Sequence, residues 1–292
     1  MRGYTILYIL FIPSVLALEQ SPFIRRDTLK TRMDSAMQDL KGKGVIVTGA
    51  SKGIGRATGL RFAEAGARVY LVANGPAADL EAAAAECRRA NDSVEPGWGI
   101  FDLAESAGPA RMVAAALAAI GRVDVLVNNA GIRIRHPFGE YTAEEFDKLI
   151  AVNVRAAFLA SQAVLPSMRA QGGGRIIHVA SQMGLVAHKD SLLYGLSKSA
   201  VIYLARAMAY ELAKDNIIVN AISPGPIMTE YNAERTRENP ALLADRLSYM
   251  PAGRYGEPDE VARTIVLLAA AMPEMTRPTN SKASVGATAI RM

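Results

Sequence analysis

Short runs of β-branched residues alternate with helix-length segments through most of this chain, and this alternation restricts the folds that it can adopt. The predicted buried strands are residues 45–47, 69–72, 125–127, 176–179 and 217–221. The predicted helices between them include residues 56–65, 80–90, 109–120 and 201–213. Repeated alternation of strand and helix is typical of a parallel sheet with helices on both faces. The sequence therefore predicts an α/β fold with a doubly wound parallel sheet in a single domain.

Local signals mark two further helices. Thr142 and Glu145 have the spacing of a capping box, which predicts a helix that runs to about Arg169. Pro258 is suited to the first residue of a final helix, because its missing N–H and fixed φ cost nothing there.

The formal charge of +5 does not indicate an anionic partner, because it comes from the two ends of the chain. Residues 1–43 hold seven basic and four acidic side chains, and residues 273–292 hold three and one. The body between them keeps 23 of the 33 basic and 23 of the 28 acidic residues and is neutral. A nucleic-acid-binding protein needs a basic face, so the neutral body argues against that class. One cysteine and three scattered histidines exclude an intrachain disulfide and a Cys/His zinc cluster, and no metal site is predicted.

The amino-terminal segment differs from the body. Residues 4–18 are an almost unbroken apolar run, shorter than the roughly 20 residues that a membrane-spanning helix needs. The run resembles the core of a signal peptide, with Val15 and Ala17 as small residues before a cleavage point. The alternative is an upstream extension, with translation beginning at Met33 or Met37. We expect an extension over residues 1–39 and a cytoplasmic protein without a membrane partner; export or membrane tethering through residues 4–18 is the alternative.

A glycine-rich turn follows the first predicted strand directly. Residues 48–55 read T-G-A-S-K-G-I-G, and a helix is predicted to begin near Arg56. Glycines let the backbone approach a pyrophosphate closely, and the free N–H groups at a helix start attract its charge. The turn therefore predicts a dinucleotide site, although its glycine spacing differs from the usual G-x-G-x-x-G.

Five motifs in register resemble the short-chain dehydrogenase/reductase family over roughly residues 40–270. The glycine-rich turn is followed by N-N-A-G at 128–131 and by P-G at 224–225. Between them lie four residues in the order and spacing of the family's catalytic tetrad: Asn153, Ser181, Tyr194 and Lys198. The resemblance implies a Rossmann-type catalytic domain, assigned here to residues 40–271. It also implies an NAD(P)(H)-dependent oxidoreductase that interconverts secondary alcohols and ketones.

The chemistry fits the spacing of Tyr194 and Lys198, which lie four residues apart at the start of a predicted helix and so share one face. A tyrosine has an ordinary pKa of about 10, so its use as a base near neutral pH requires positive charge close to the phenolate. The resemblance makes Tyr194 the general acid/base and gives Lys198 that charge and a contact with the nicotinamide ribose. It assigns Ser181 a hydrogen bond to the substrate oxygen, and Asn153 a water that relays protons.

The predicted cofactor is NADP(H), favoured over NAD(H). NAD-preferring members carry an acidic residue at the end of the second strand, and here that position reads Ala73-Asn74-Gly75. Lys52 stands where NADP-preferring relatives often have a basic residue, although it could equally be a solvated loop lysine. Asp102 matches an adenine contact or, alternatively, caps a helix. The resemblance implies cofactor contacts from Gly49, Ser51, Lys52, Gly53, Ile54, Gly55, Asn74, Asp102, Leu103, Asn129, Ala130, Gly131, Tyr194, Lys198, Pro224, Gly225, Ile227 and Thr229.

The substrate is a small carbonyl or alcohol compound whose identity depends on residues 182–193 and on a lid over residues 229–252. The candidate classes are 3-oxoacyl thioesters and sugars or polyols. Met183, Leu185, Val186 and Leu193 suggest an apolar wall. In the lid, Arg235, Arg237 and Arg246 either meet an acidic substrate or form a solvated helix face.

The carboxyl-terminal segment departs from the family, whose members end in a seventh strand and a glycine-rich turn. Residues 272–292 form an atypical tail with two prolines and few large apolar side chains. The seventh strand is therefore expected to be missing or altered. Its loss would expose the neighbouring strand's backbone and weaken the homodimer or homotetramer that the family resemblance implies. The alternative function is then a cofactor-binding protein with little or no turnover.

Overall fold

The computed structural model describes residues 9–10, 40–92, 95–248, 250, 252–270 and 289–291. In these residues eight strands form one parallel sheet in the order β1-β8-β7-β6-β5-β2-β3-β4. The strands are β1 Ile9–Leu10, β2 Gly44–Thr48, β3 Arg68–Ala73, β4 Gly97–Ile100, β5 Val125–Asn128, β6 Gly174–Val179, β7 Ile217–Ser223 and β8 Ala289–Arg291. The predicted doubly wound α/β fold is confirmed.

Helices connect the strands and cover both faces of the sheet. They are α1 Gly53–Glu64, α2 Ala77–Ala90, α3 Gly108–Ile120, α4 Ala143–Ile150, α5 Ala156–Ala170, α6 Leu192–Leu212, α7 Glu230–Glu238, α8 Pro240–Ser248 and α9 Pro258–Ala269. The predicted caps are present, with Thr142 and Glu145 bonded reciprocally and Pro258 at the start of α9.

The apolar core lies in two layers, one on each face of the sheet. Strand β2 shows why: Val45 and Val47 point into one layer, and Ile46 between them points into the other. Helices α1, α2 and α9 close the first layer, and α3, α5 and α6 close the second. Strands buried on both faces account for the nearly continuous apolar runs in the sequence.

A π-helical turn, Ala151–Arg155, joins α4 to α5 and was not predicted. The combined helix Ala143–Ala170 is long and apolar enough to cross a membrane by length and composition, the one such helix among the residues described. Its inner face packs into the core through Leu149, Ala160 and Val164, each at most 1% exposed. Such burial is typical of a core helix in a folded domain.

The expected loss of the seventh strand is corrected in part. Strand β8 pairs in parallel with β7 from Ala221 to Ser223, and β1 pairs with β8 on its outer side. The strand is altered, since it has only three residues. It covers the end of the β7 edge, at Ala221 to Ser223. A three-residue strand has no apolar periodicity of its own, and the backbone of β7 supplies the pairing. The predictions for residues 1–39 and 272–292 otherwise fall outside the described residues.

The order of the strands places a crevice beside the end of β2. The chain runs from β2 outward to β3 and β4 on one side, and to β5, β6 and β7 on the other. Ligands of open α/β sheets bind at the carboxyl ends of the strands, where the order reverses. Both the glycine-rich turn after β2 and the N-N-A-G segment at the end of β5 lie there.

Candidate active site

The glycine-rich turn has backbone conformations that residues other than glycine would adopt only with strain. Gly49 and Gly53 have φ angles of 66° and 52°, in the left-handed region. A Cβ on Gly49 would come within 2.9 Å of the Ala130 Cα, and a Cβ on Gly55 would collide with the Gly49 carbonyl oxygen. The turn is therefore packed tightly against the N-N-A-G segment.

Thr48 and Asn129 hold these two segments together. The Thr48 hydroxyl donates to the Val127 carbonyl at 3.2 Å and accepts from the backbone N–H groups of Asn129 and Ala130, each at 3.0 Å. In return, the Asn129 amide donates to the carbonyl oxygens of Thr48 and Gly49 at 2.9 and 3.1 Å. Asn129 therefore shapes the turn as well as lining the cleft beside it.

The first turn of α1 offers backbone N–H groups to an anion. Lys52 precedes the helix and provides no side-chain cap. The Gly53 N–H instead donates to Glu230 Oε1, from the start of α7, at 3.4 Å. A carboxylate thus lies where the helix N-terminus favours negative charge.

Tyr194 and Lys198 lie in the first two turns of α6, as predicted. Lys198 is buried, its Nζ donates to the Val179 carbonyl oxygen at 2.8 Å, and the same atom lies 5.7 Å from the centroid of the Tyr194 ring. A Cβ on Gly131 would lie 3.4 Å from Lys198 Nζ and 3.3 Å from Asn153 Oδ1. The structure therefore brings Tyr194, Lys198, Asn153 and the end of N-N-A-G together.

Asn153 lies in the π-helical turn, and its side-chain amide makes three hydrogen bonds. Its Oδ1 accepts from the Ile132 N–H at 2.8 Å, and its Nδ2 donates to the Ile132 carbonyl at 3.0 Å and to Ser197 Oγ at 3.0 Å. Ser197 Oγ in turn donates to the Tyr194 carbonyl at 2.7 Å. Asn153 thus joins the loop after β5 to α6. π-Turns are frequent at functional sites because they displace the backbone locally.

These residues line or adjoin a cleft of about 610 Å³. Most of the predicted site residues form its wall: Lys52, Gly53, Ile54, Asn129, Gly131, Ser181, Tyr194, Lys198, Pro224, Gly225, Ile227 and Thr229. The others are not on the wall: Gly49, Ser51, Gly55, Asn74, Asp102, Leu103, Ala130 and Asn153. Ser181 lies at the end of β6, and its Oγ accepts from the Met183 N–H at 3.2 Å.

A model of the short chain dehydrogenase family matches residues 43–240. The chain belongs to this family. A 3-oxoacyl-(acyl-carrier-protein) reductase of Thermotoga maritima is 36% identical over 233 residues, which are 79% of this chain and 91% of the relative. Human L-xylulose reductase is 35% identical over 238 residues, which are 81% and 93% of the two chains.

Solved structures agree. A protein from Beutenbergia cavernae, assigned as an NAD(P)-dependent gluconate 5-dehydrogenase and solved with bound NADP, is similar with a TM-score of 0.76 and 33% identity. The similarity covers 86% of this chain and 96% of that one. This short-chain dehydrogenase is accordingly an NAD(P)-dependent oxidoreductase that interconverts alcohols and ketones.

The residues of this short-chain dehydrogenase fit a dinucleotide. The tight turn at Gly49 and Gly55 keeps the backbone free of side chains, and the start of α1 already holds the Glu230 carboxylate. Lys198 and Gly131 line the same cleft as Gly53. The cleft thus offers both the start of α1, which attracts an anion, and the Tyr194–Lys198 pair.

Two predicted adenosine contacts have other partners. Lys52 Nζ lies 3.2 Å from the Asp79 carboxylate, which the fold brings to it from α2. The Asp102 side chain accepts from the Ala104 N–H at 2.8 Å, so it caps the local turn, which is close to the alternative reading of that residue. Asn74 lies exposed at the end of β3.

Sequence reasoning missed the arginines that follow N-N-A-G. Arg133 lines the cleft, and its Cζ lies 5.0 Å from the centroid of the Tyr194 ring. Its position two residues after Gly131 was the available signal. The expected apolar wall is also reduced: Met183 lines the cleft, whereas Leu193 is buried at 2% exposure and Val186 is 47% exposed.

Proposed function

We propose that this short-chain dehydrogenase catalyses the reduction of ketones and the oxidation of the corresponding secondary alcohols. It prefers NADP(H), and Tyr194 is its general acid/base. The observation that carries the proposal is that Lys198 and Gly131 line one cleft with Tyr194, with Asn153 directly behind Gly131. Taken singly, a Tyr–Lys pair on a helix is usually a surface pair. A buried lysine at this spacing is not.

The turn Gly49–Gly55 and the start of α1 would hold the pyrophosphate, and Lys198 would hold the nicotinamide ribose. A bound nicotinamide supplies or accepts the hydride. The Tyr194 hydroxyl donates its proton to the substrate oxygen during reduction and accepts it during oxidation. Ser181, on the wall beside Tyr194, donates a hydrogen bond to the same oxygen and orients the carbonyl.

Besides holding the ribose, Lys198 has a second role in this scheme, because its ammonium group stabilises the tyrosinate that proton donation leaves behind. The hydrogen bond from Nζ to the Val179 carbonyl oxygen keeps the ammonium group in place. Asn153 links the loop after β5 to α6, which carries Lys198, and a relay water would bind beside it. Both hydrogens of Nδ2 are engaged with Ile132 and Ser197, so that water would donate to the second lone pair of Oδ1 or to a backbone carbonyl.

The preference for NADP(H) is supported by the end of β3, where Asn74 and Gly75 place no carboxylate next to a 2′-phosphate. Lys52 supplies a cation nearby, and Asp79 offsets part of its charge. The proposed substrate classes are 3-oxoacyl thioesters and sugars or polyols, the classes named for the Thermotoga maritima and human relatives.

We also propose a homodimer or homotetramer built through α5 and α6. Large aromatic side chains are exposed along these helices, with Phe158, Tyr203 and Tyr210 at 43%, 72% and 66% exposure. Interfaces between subunits are enriched in aromatic residues. A cytoplasmic location belongs to the same proposal, because Cys87 is a free buried thiol, as a reducing compartment allows.

The test compares Tyr194→Phe with Tyr203→Phe, the same substitution on the same helix at a side chain that does not line the cleft. Oxidation of NADPH is followed by absorbance with a panel of ketones. We expect Tyr194→Phe to lose about 10²- to 10⁴-fold in kcat, the usual contribution of general acid–base catalysis, with NADPH binding retained. Tyr203→Phe should match the wild type. Equal activity of the two variants would remove Tyr194 from the proposed role.

A further inference from the structure

Four arginines converge beside the Tyr194 end of the cleft. Arg133 and Arg135 lie in the loop after β5, Arg235 lies in α7 and Arg246 lies in α8. Arg133 and Arg246 line the cleft itself. These four residues are called the arginine cluster below. They come from segments that are about 100 residues apart in the chain, so only the fold brings them together.

The arginines of the cluster influence one another electrostatically. The pKa of Arg133 is lowered by burial, and the charges of Arg246 and Arg235 lower it further. The pKa of Arg135 is lowered to about 10 by burial and by the charges of Arg133, Arg235 and Arg246. The contacts agree with this: Arg133 and Arg135 share the Ser191 hydroxyl, and Arg133 and Arg246 line the same cleft.

The contacts of the cluster are with neutral groups. Arg133 Nη2 donates to Ser191 Oγ and to the Met183 sulfur, each at 3.0 Å, and Arg246 Nη1 donates to the Tyr255 hydroxyl at 3.0 Å. Arg135 Nη2 lies 3.5 Å from the same Ser191 hydroxyl. No acidic side chain in the described part of the chain forms an ion pair with any member of the cluster.

Several donors of the cluster are buried without a partner. They are Nε of Arg133, Nε of Arg135 and Nη1 of Arg235. Arg246 is only 7% exposed, which excludes the solvated helix face that a charge-rich lid otherwise suggests. Buried cations without a counter-charge destabilise a fold unless a ligand brings the missing anion.

We infer that the substrate carries an anionic group, a carboxylate or a phosphate, which Arg133 and Arg246 bind while Arg135 and Arg235 add positive potential. This inference rests on the proposed function, because Tyr194 marks the position of the reacting carbonyl. Arg133 Cζ lies 5.0 Å from the Tyr194 ring, so the anionic group is only a few bonds from that carbonyl. The substrate class is therefore a short oxo acid or hydroxy acid, or a phosphorylated ketose of similar size.

The cluster is made of different residues from the proposed sites for the cofactor phosphates. Those sites are the start of α1 and Lys52, whereas Arg133 of the cluster lies beside the Tyr194 ring. Guanidinium groups bind carboxylate and phosphate through two parallel hydrogen bonds. Arg133 keeps one unpartnered donor, Nε, and its Nη2 is held only by the neutral Ser191 hydroxyl and Met183 sulfur, which an anion would outcompete.

The test uses matched pairs of substrates with the wild-type enzyme. One pair is 4-oxopentanoate and its methyl ester, and the other is xylulose 5-phosphate and xylulose. We expect kcat/KM to be about 10- to 100-fold higher for the anionic member of one pair, the effect of hydrogen bonds to a charged group. The pair that shows the preference identifies the anion. Equal kcat/KM values within both pairs would overturn the inference.

Variants locate the effect. Arg133→Gln and Arg235→Gln should each reduce the preference for the anion, whereas Arg237→Gln, an exposed residue on the same helix as Arg235, should keep it. Circular dichroism shows whether each variant folds. If Arg133→Gln does not fold, the anion preference of Arg235→Gln tests the inference. A preference that survives in both folded variants would contradict the inference.

Binding without turnover separates this inference from the proposed function. Glutarate has two carboxylates and no ketone, so it probes the cluster alone. We expect glutarate to raise the Tm of the wild type and of Arg237→Gln, and not that of Arg133→Gln. If neutral ketones are reduced, glutarate has no effect and kcat/KM is equal within both substrate pairs, the inference fails and the proposed function stands. If glutarate stabilises the wild type selectively but no ketone or alcohol reacts, the arginine site stands and the proposed function fails.

Discussion

Asn153 and Ile132 are joined by two reciprocal hydrogen bonds, from the Ile132 N–H to Oδ1 at 2.8 Å and from Nδ2 to the Ile132 carbonyl at 3.0 Å. The Asn153 side chain thus bonds the N–H and carbonyl groups of Ile132 as the backbone of a neighbouring strand would. The pairing places the loop after β5 against Lys198, with Gly131 between them. Asn153 is therefore a positioning residue in the proposed site.

Replacing Asn153 by Leu removes these hydrogen bonds at nearly constant volume. The Ile132 N–H and carbonyl are then left without their partner, which should lower the free energy of unfolding by about 2–4 kcal/mol. We expect kcat to fall as well, because the loop after β5 loses its hydrogen-bonded link to α6, which carries Tyr194 and Lys198. Urea denaturation and NADPH oxidation measure the two effects. Asn153→Asp keeps the acceptor for the Ile132 N–H and should be intermediate; a Leu variant as stable as the wild type would contradict this account.

Gly131→Ala tests how closely the N-N-A-G segment approaches the site. The new Cβ would lie 3.3 Å from Asn153 Oδ1, which must shift by a few tenths of an ångström, and 3.4 Å from Lys198 Nζ, at the short limit of ordinary contact. We expect kcat to fall about 10-fold, since small displacements of reacting groups are costly. Gly139→Ala is the matched control, because a Cβ there has no neighbour within 4 Å. Similar kinetics for the two variants would show that the approach of Gly131 is unimportant.

The pair formed by Lys52 and Asp79 sets the expected cofactor preference. Asp79→Asn removes the counter-charge of Lys52 and should raise the ratio of kcat/KM for NADPH to that for NADH. Lys52→Gln should lower this ratio by about 10-fold, the value of one charge-assisted contact with a phosphate. Glu81→Gln, an exposed change of charge on the same helix, is the control. A wild-type kcat/KM for NADH about ten-fold above that for NADPH would refute the preference itself.

His178 should make the fold sensitive to mild acid. It is fully buried in β6, and burial, together with the charge of Lys198, lowers the pKa of His178 from 6.5 to about 4. The unfolded chain therefore binds a proton between pH 6.5 and pH 4 that the folded chain does not. Stability should fall by up to about 3 kcal/mol as the pH decreases through this window and should be unaffected by this group above it.

His178→Gln removes that dependence. Urea denaturation at pH 7, 5.5 and 4.5 measures the slope of stability against pH for the wild type and the variant. We expect a smaller slope in the variant, whatever its stability at pH 7. His188→Gln, in an exposed loop, should keep the wild-type slope. An unchanged slope in His178→Gln would show that another group is responsible.

Much of the site could be predicted because its signals are local. A glycine-rich turn after a strand, a Tyr and a Lys one helical turn apart and a capping box each depend on neighbours in the chain. The π-helical turn at Asn153 could not be predicted, because no sequence period distinguishes one added residue in a long helix. The partner of Lys52 was missed for another reason, since Asp79 reaches it only through the packing of α2 against α1.

By itself, the sequence determined the α/β architecture and the order of its elements, since apolar periodicity and turn chemistry act over a few residues. The four residues proposed for catalysis came from the resemblance of its motifs to those of the short-chain dehydrogenase/reductase family. Only the tertiary structure decided which charges meet. Arg133 and Arg246 lie more than 100 residues apart in the chain and line one cleft because the fold brings the loop after β5 and α8 together. Electrostatic interactions depend on distance through space, and a linear chain does not record that distance until its core has packed.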